Sequence, residues 1–160
     1  MNELPNCKVV YLIRHGESSF NANLTDDIDC NLTDLGKKQS LILGERLSEN
    51  HFDLVIVSPL ARALQTLEIS KLIYDRMEIN HLCREYKIDK CDFLFGEKIE
   101  FEKEDDVKNR CLEFRLYLES INCKRIAVIC HSDFIYYFTS GYNNDGIWLD
   151  NADYTIINIS

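Results

Sequence analysis

The sequence predicts an α/β fold, a three-layer sandwich with a mostly parallel central sheet and helices on both faces. Three observations predict it. Short apolar runs rich in β-branched residues recur along the chain, each of the strongest stops abruptly at polar residues, and stretches with helical apolar spacing follow them. Strand, turn and helix repeated in this way bury both faces of a sheet and favour parallel strands joined by crossover helices.

Val9, Val10, Tyr11, Leu12 and Ile13 read as a buried central strand, closed by Arg14, His15 and Gly16. A polar loop over 17–31 follows. Thr33 and Asp34 offer a helix N-cap, after which Leu35, Gln39, Ile42, Leu43, Arg46 and Leu47 lie at near-helical spacing as far as Asn50. Residues 53–57 repeat the buried-strand signature and stop at Ser58 and Pro59; Leu60, Leu64, Leu67 and Leu72 then mark one face of a second helix reaching 75. Residues 78–82 give a weaker third strand. The stretch 84–100 mixes Asp, Gly, Lys and aromatics without a period, as an active-site loop does. A long helix over 104–121 carries Val107, Cys111, Phe114, Leu118 and Ile121 along one face. A strand over 125–130, a short helix over 132–140 and a final strand over 154–159 complete the pattern.

At 160 residues, 46% hydrophobic and 28% charged, the chain suits one domain spanning 1–160, and six glycines and two prolines leave no linker tract. The net charge of −9 argues against sequence-independent nucleic-acid binding and against an anionic membrane surface. It also opposes the approach of an anionic substrate, so attraction has to come from a local cluster of cations. Seven cysteines, an odd number without a C-x-x-C pair, indicate neither a disulfide framework nor a zinc site, and read as small buried hydrophobes in a reducing compartment. Residues 1–8 lack an apolar signal core and no apolar run reaches membrane-spanning length, which leads to the expectation of a cytoplasmic protein.

In mostly parallel sheets, functional residues lie beyond the carboxyl ends of the strands, near a topological switch point. Arg14, His15 and His131 fall there, just past two strands; Arg62 lies just inside the second helix and Glu85 just past the third strand. Two histidines and two arginines on one rim suit a dianionic phosphoryl group, which guanidinium forks can pair bidentately. A neutral imidazole can attack phosphorus and split hydrolysis into two steps through a phosphohistidine. Such cations can stabilise the developing charge without a metal; the sequence supplies no metal cage and calls for no cofactor. Glu17 is a further carboxylate near the nucleophile. His51 and His81 read as surface or strand residues, 100–106 as a solvated helix start, and Phe93, Phe95, Tyr136, Tyr137 and Phe138 as core or pocket wall.

The same residues carry a family resemblance. Leu12 to Ser18, with Asn21 after it, resembles the signature of the histidine phosphatase superfamily, which contains phosphoglycerate mutases and many phosphatases. The segment Asn31, Leu32, Thr33, Asp34, Leu35, Gly36 resembles the family's LTxxG helix start, and the run from Ser58 to Thr66 resembles its SPLxRAxQT segment. Arg84 and Glu85 look like the segment carrying the family's acid, and Val128 to His131 like its second histidine motif. The resemblance covers nearly the whole chain in the family's order. It implies His15 as nucleophile, Arg14, Arg62 and His131 as the phosphate pocket, Glu85 as proton donor, and Ser18 and Asn21 as further pocket residues. It implies a phosphomonoester hydrolase acting through a phosphohistidine on a small phosphorylated metabolite or a phosphoprotein. The alternatives are a phosphoglycerate mutase, whose family members are longer than this chain, and a weakly active binding or regulatory member. One departure bears on that choice: Ser132 and Asp133 stand where the family usually has glycine. Asp133 is open to three roles there, repelling phosphate, orienting His131, or replacing Glu85 as the acid.

Overall fold

The computed structural model describes residues 7–141 and 145–160, so the reading of 1–8 as lacking a signal core lies, over 1–6, outside the described residues. The chain runs β1 (Lys8–Arg14), α1 (Asp34–Arg46), β2 (His51–Val57), α2 (Ala61–Ser70), β3 (Ile73–Ile79), α3 (Glu104–Ser120), β4 (Arg125–Cys130), α4 (Ser132–Thr139) and β5 (Tyr154–Ile159). The strands form one sheet in the order β3-β2-β4-β1-β5. All neighbours are parallel except β5, which runs antiparallel to β1.

Alternation along the strands divides the core in two. Val10, Leu12, Leu54, Ile56, Ile126 and Val128 pack against α3 and α4, through Val107, Phe114, Leu118, Phe134 and Phe138. Tyr11, Ile13, Val55, Val57, Ala127 and Ile129 pack against α1 and α2, through Leu43, Leu47, Ala63 and Leu67. Each fully buried Leu or Ile contributes about 1.5–3 kcal/mol relative to exposure, which makes these two interfaces the main source of stability. The three-layer sandwich that the sequence predicts is therefore the fold.

Three local expectations change. Thr33 does cap α1, its Oγ accepting from Gly36 N at 3.0 Å, but the buried face of that helix is Gly36, Ser40 and Leu43, continued by Leu47. Leu35 and Ile42 point to solvent. The reason is close backbone approach. A Cβ on Gly36 would lie 2.0 Å from Glu17 O, and one on Gly16 would lie 2.4 Å from Gly36 O, so the helix meets the loop after β1 along a glycine seam that apolar counting overlooks. Gly36→Ala is expected to cost about 1–3 kcal/mol or more, because backbone rather than a flexible side chain must give way. Leu35→Ala should stay within about 0.5 kcal/mol. Denaturant titration of the two variants checks the contrast.

The second helix ends at Ser70, where Lys71 adopts the left-handed conformation at φ 51° and its N–H returns to Leu67 O. Residues 73–75, expected to be helical, instead begin β3. That strand pairs only with β2 and leaves Ile73, Met77 and Ile79 about half exposed, so ladder bonds hold it and no apolar period marks it. Phe95, expected in the core or pocket wall, is exposed, while Phe93 is buried.

The aperiodic loop after β3 is fixed by two arginines. Arg84 forks onto Glu97 at 2.7 and 2.9 Å and donates to Asp92 O at 2.9 Å. Arg110, from α3, donates to the carbonyls of Leu82, Arg84 and Glu85 and pairs with Glu102 at 2.7 Å. Among the described residues, no helix is long and apolar enough to cross a membrane.

Candidate active site

The register that pairs Ile13 with Ile129 and Arg14 with Cys130 brings His15 and His131 level beyond the ends of β1 and β4. His15 N donates to Cys130 O at 3.1 Å, and the two rings lie 5.1 Å apart between centroids. Both are buried, at 2% and 0% exposure, so neither position is an ordinary surface histidine.

A hydrogen bond selects the tautomer of the first ring. His15 Nδ1 sits 2.6 Å from Gly16 O, a pure acceptor, so Nδ1 carries the proton and the Nε2 lone pair is left outward. Arg62 Nε donates to that lone pair at 3.3 Å. At the second ring, His131 Nε2 lies 2.8 Å from Ser58 Oγ, which already accepts from Leu60 N. A serine hydroxyl has two lone pairs, so Ser58 can accept from Leu60 N and still either donate to Nε2 or accept from it; the contact holds the His131 ring without fixing its tautomer. Among the described residues, His131 Nδ1 and Arg14 Nε are buried without a hydrogen-bond partner. A buried Arg14 N–H without an acceptor is costly unless something anionic meets it.

Burial, then the Arg62 guanidinium, pushes His15 well below its ordinary pKa; the Gly16 carbonyl opposes the shift. His131 is lowered well below its ordinary value by burial first and then by Arg62 and His15. Both imidazoles are consequently neutral near pH 7. Arg14 is lowered by burial, against the opposing pull of Glu85, Asp150 and Asp133; its Nη1 donates to Leu149 O at 2.8 Å.

The segment from Ser58 to Thr66 holds the loop after β1 from several directions. Thr66 Oγ accepts from Gly16 N at 3.0 Å, and Gln65 bridges Leu32 N and Asn31 Oδ1, both at 2.8 Å. Gln39, read only as a helix-face residue, accepts from Glu17 N at 2.8 Å. Glu17 itself accepts from Thr33 Oγ at 2.7 Å and does not line the cavity, so it serves the start of α1 and not proton transfer.

A cavity of about 80 Å³ opens beside the His15 ring, walled by Ser18, Asn21, Arg62, Glu85, Asp92 and Asp133 among others. Arg14 and His131 are not among the residues that line this opening. Ser18 Oγ donates to Asn21 Oδ1 at 3.0 Å, and Asn151 Nδ2 reaches both Asn21 Oδ1 and His15 O at 3.3 Å. The structure thus gathers all seven residues singled out from the sequence at one end of the sheet.

Glu85 is 7% exposed and closes the N-terminus of α4. Its Oε1 accepts from Phe134 N at 2.8 Å and from Tyr86 N at 2.8 Å, and its Oε2 from Asp133 N at 3.2 Å. Burial first, then the carboxylates of Asp133 and Asp92, raise its pKa to about 7. Asp133 makes no hydrogen bond to the His131 ring, which is held by Ser58, so the geometry gives no support to the orienting role considered for it. Its carboxyl stands on the cavity wall, raised by burial, and acts on Glu85 through charge.

The expectation that both arginines offer a free fork fails for Arg62. Its Nη1 donates to Cys91 O at 2.7 Å and its Nη2 to Asp92 Oδ1 at 3.0 Å, so one end of the guanidinium is taken and the Nε edge faces His15. Asp92, Ser58 and Asn151 are functional candidates that residue-type reasoning passed over. Ser58 lay within a recognised motif, whereas no signal marked Asp92 in its aperiodic loop.

Residues 10–92 match the sequence profile of the histidine phosphatase superfamily (branch 1), slightly more than half of the chain. The chain belongs to the histidine phosphatase superfamily. Over 61 residues, 36% of this chain and 24% of the relative, it is 41% identical to the fructose-2,6-bisphosphatase TIGAR B of Danio rerio. Over 63 residues it is 40% identical to phosphoserine phosphatase 1 of Hydrogenobacter thermophilus, spanning 38% of this chain and 30% of that protein. These alignments thus span less than a third of either relative's length. Solved histidine phosphatase folds align over far more. Bacillus stearothermophilus YhfR superposes with a TM-score of 0.72 at 19% identity, covering 93% of this chain and 90% of that one. The Entamoeba histolytica phosphoserine phosphatase, in complex with 3-phosphoglyceric acid, gives 0.68 at 22% identity over 93% and 89%. At those identities the likeness establishes the histidine phosphatase fold.

Proposed function

We propose that this histidine phosphatase family member is a phosphomonoester hydrolase using His15 Nε2 as a covalent nucleophile. The observation that carries the reading is the His15 ring itself: Nδ1 is tied to Gly16 O, and the outward Nε2 meets an arginine N–H in a site with two buried polar atoms that lack partners, Arg14 Nε and His131 Nδ1. On this reading the phosphoryl group carried on Nε2 takes over the Arg62 Nε–H and reaches past the lining of the opening to Arg14 Nε and, in the Nδ1–H tautomer, to His131 Nδ1, atoms that have no other partner.

In the first half-reaction Nε2 attacks phosphorus, the P–O ester bond breaks, and the departing oxygen takes a proton from Glu85. In the second, water attacks the phosphohistidine and gives its proton to Glu85, and the P–N bond breaks to release inorganic phosphate and neutral His15. A buried carboxyl whose pKa is near 7 is suited to both roles. The substrate class we propose is a small phosphorylated metabolite or a phosphoprotein, hydrolysed by a cytoplasmic enzyme.

The reaction is proposed to need no metal, because Arg14, Arg62 and His131 supply donors to the phosphoryl oxygens. Phosphate release from p-nitrophenyl phosphate should be undiminished by chelator and should be inhibited by vanadate, which mimics five-coordinate phosphorus. Activity that vanishes with chelator and returns with magnesium overturns the metal-free mechanism.

A further inference from the structure

We infer that Asp92 is a positioning residue, which clamps one end of the Arg62 guanidinium so that its Nε edge is presented to the transferring phosphoryl group. The inference rests on the phosphatase reading above. The pair is closed off from solvent, with both side chains 4% exposed and 3.0 Å between Nη2 and Oδ1. Asp92 is itself held: Oδ2 accepts from Ile88 N at 3.1 Å and from Asp89 N at 2.9 Å, and its carbonyl accepts from Arg84, which forks onto Glu97. A chain of fixed contacts therefore runs from Glu97 through Arg84 and Asp92 to Arg62 and ends on the nucleophilic nitrogen of His15.

A buried ion pair is a poor device for stability, since desolvating two charges costs several kcal/mol and offsets their attraction. Orientation is what this pair secures. An arginine with both ends free can meet an anion in several ways; with Nη1 on Cys91 O and Nη2 on Asp92, the edge that faces the reacting centre is set before substrate arrives.

The carboxylate of Asp92 has a second effect, on the acid. Glu85 is faced by Asp133 from α4, by Asp92 from its own loop, by Arg62 from α2, and by Arg14 from β1. Arg110, from α3, bonds the Glu85 carbonyl at 3.0 Å. The two carboxylates favour the protonated form of Glu85 and the arginines oppose it. Removing the charge at position 92 lowers the pH at which Glu85 gives up its proton.

The test compares wild type, Asp92→Asn and Asp92→Glu, each scaled to its folded fraction by circular dichroism. For Asp92→Asn, kcat/KM on p-nitrophenyl phosphate should fall by about 10²-fold and vanadate inhibition should weaken by a similar factor. Its alkaline limb on an alkyl phosphate should move to lower pH. Asp92→Glu keeps the charge but is too long to hold the fork and both backbone N–H groups, so it should lose kcat/KM while its alkaline limb stays with wild type. Wild-type protein with ¹⁵N-labelled arginine gives a readout that needs no variant: vanadate should shift the Arg62 Nε–H resonance and leave Nη2 in place. Variants that match wild type in vanadate inhibition and pH limb, or a vanadate response at Nη2 with Nε unmoved, overturn the role of Asp92 alone. A wild type that neither turns over phosphate esters nor binds vanadate overturns the phosphatase reading, and this inference with it.

Discussion

His15→Ala should lower turnover of p-nitrophenyl phosphate by about 10⁴-fold or more and remove the acid-labile phosphoenzyme entirely, because no neighbouring group can take over the attack. His131 is the nearest alternative imidazole, but its Nε2 is occupied by Ser58 and its ring does not line the cavity. The fold should persist. His15 is buried but packs at the edge of a polar cavity, and its loss removes no member of either apolar core. The ring also contributes no charge at neutral pH, since burial and Arg62 hold it neutral. Circular dichroism and phosphoenzyme trapping after quench, run on the same preparation, separate loss of chemistry from loss of structure. Wild-type turnover in this variant would show that the nucleophile lies elsewhere.

Glu85→Gln should slow an alkyl phosphate by about 10²–10⁴-fold while leaving p-nitrophenyl phosphate nearly unaffected in the ester-cleaving step. A group that protonates the departing oxygen matters only when that oxygen leaves reluctantly, and p-nitrophenolate does not. The pH dependence has a definite sign. Glu85 works in its protonated form, and its pKa is raised to about 7, so activity on the alkyl ester is full below that value and falls as pH rises through it. Neutral His15 is available across the same range, because its own pKa is lowered. Glu85→Gln should abolish the alkaline limb. Asp133→Asn is the matched control: it removes a carboxylate from the cavity wall and from the surroundings of Glu85, so the limb should move to lower pH with no change in leaving-group dependence. Should Asp133→Asn show the leaving-group dependence and Glu85→Gln show none, the two roles are exchanged.

The placement of Ser132 and Asp133 bears on how this family member differs from its relatives. Both line the cavity as the first residues of α4, and Asp133 N is bonded to Glu85 and so is not free to meet an anion. Their side chains add to the cavity wall and place a carboxyl beside Glu85.

What the sequence determined by itself was whatever depends on near neighbours. The central strands ending at Arg14 and Cys130 were legible because continuous β-branched runs have few other uses, and α3 because its apolar spacing holds over the whole helix. The Thr33 cap was legible because the side chain bonds three residues away. Convergence of His15, Arg62, Glu85 and His131 followed from parallel topology, which places strand ends along one rim. Tertiary structure decided the rest. The buried face of α1 depends on how close the loop at Gly16 and Glu17 comes, and β3 depends on a ladder with β2 in place of burial. The tautomer of His15 depends on the carbonyl that stands beside it. The aim of Arg62 depends on Asp92, thirty positions along the chain and held by Arg84 in a loop without a pattern. A guanidinium carries no local preference for one partner over another, so its orientation is fixed only when the folded chain brings the carboxylate to it.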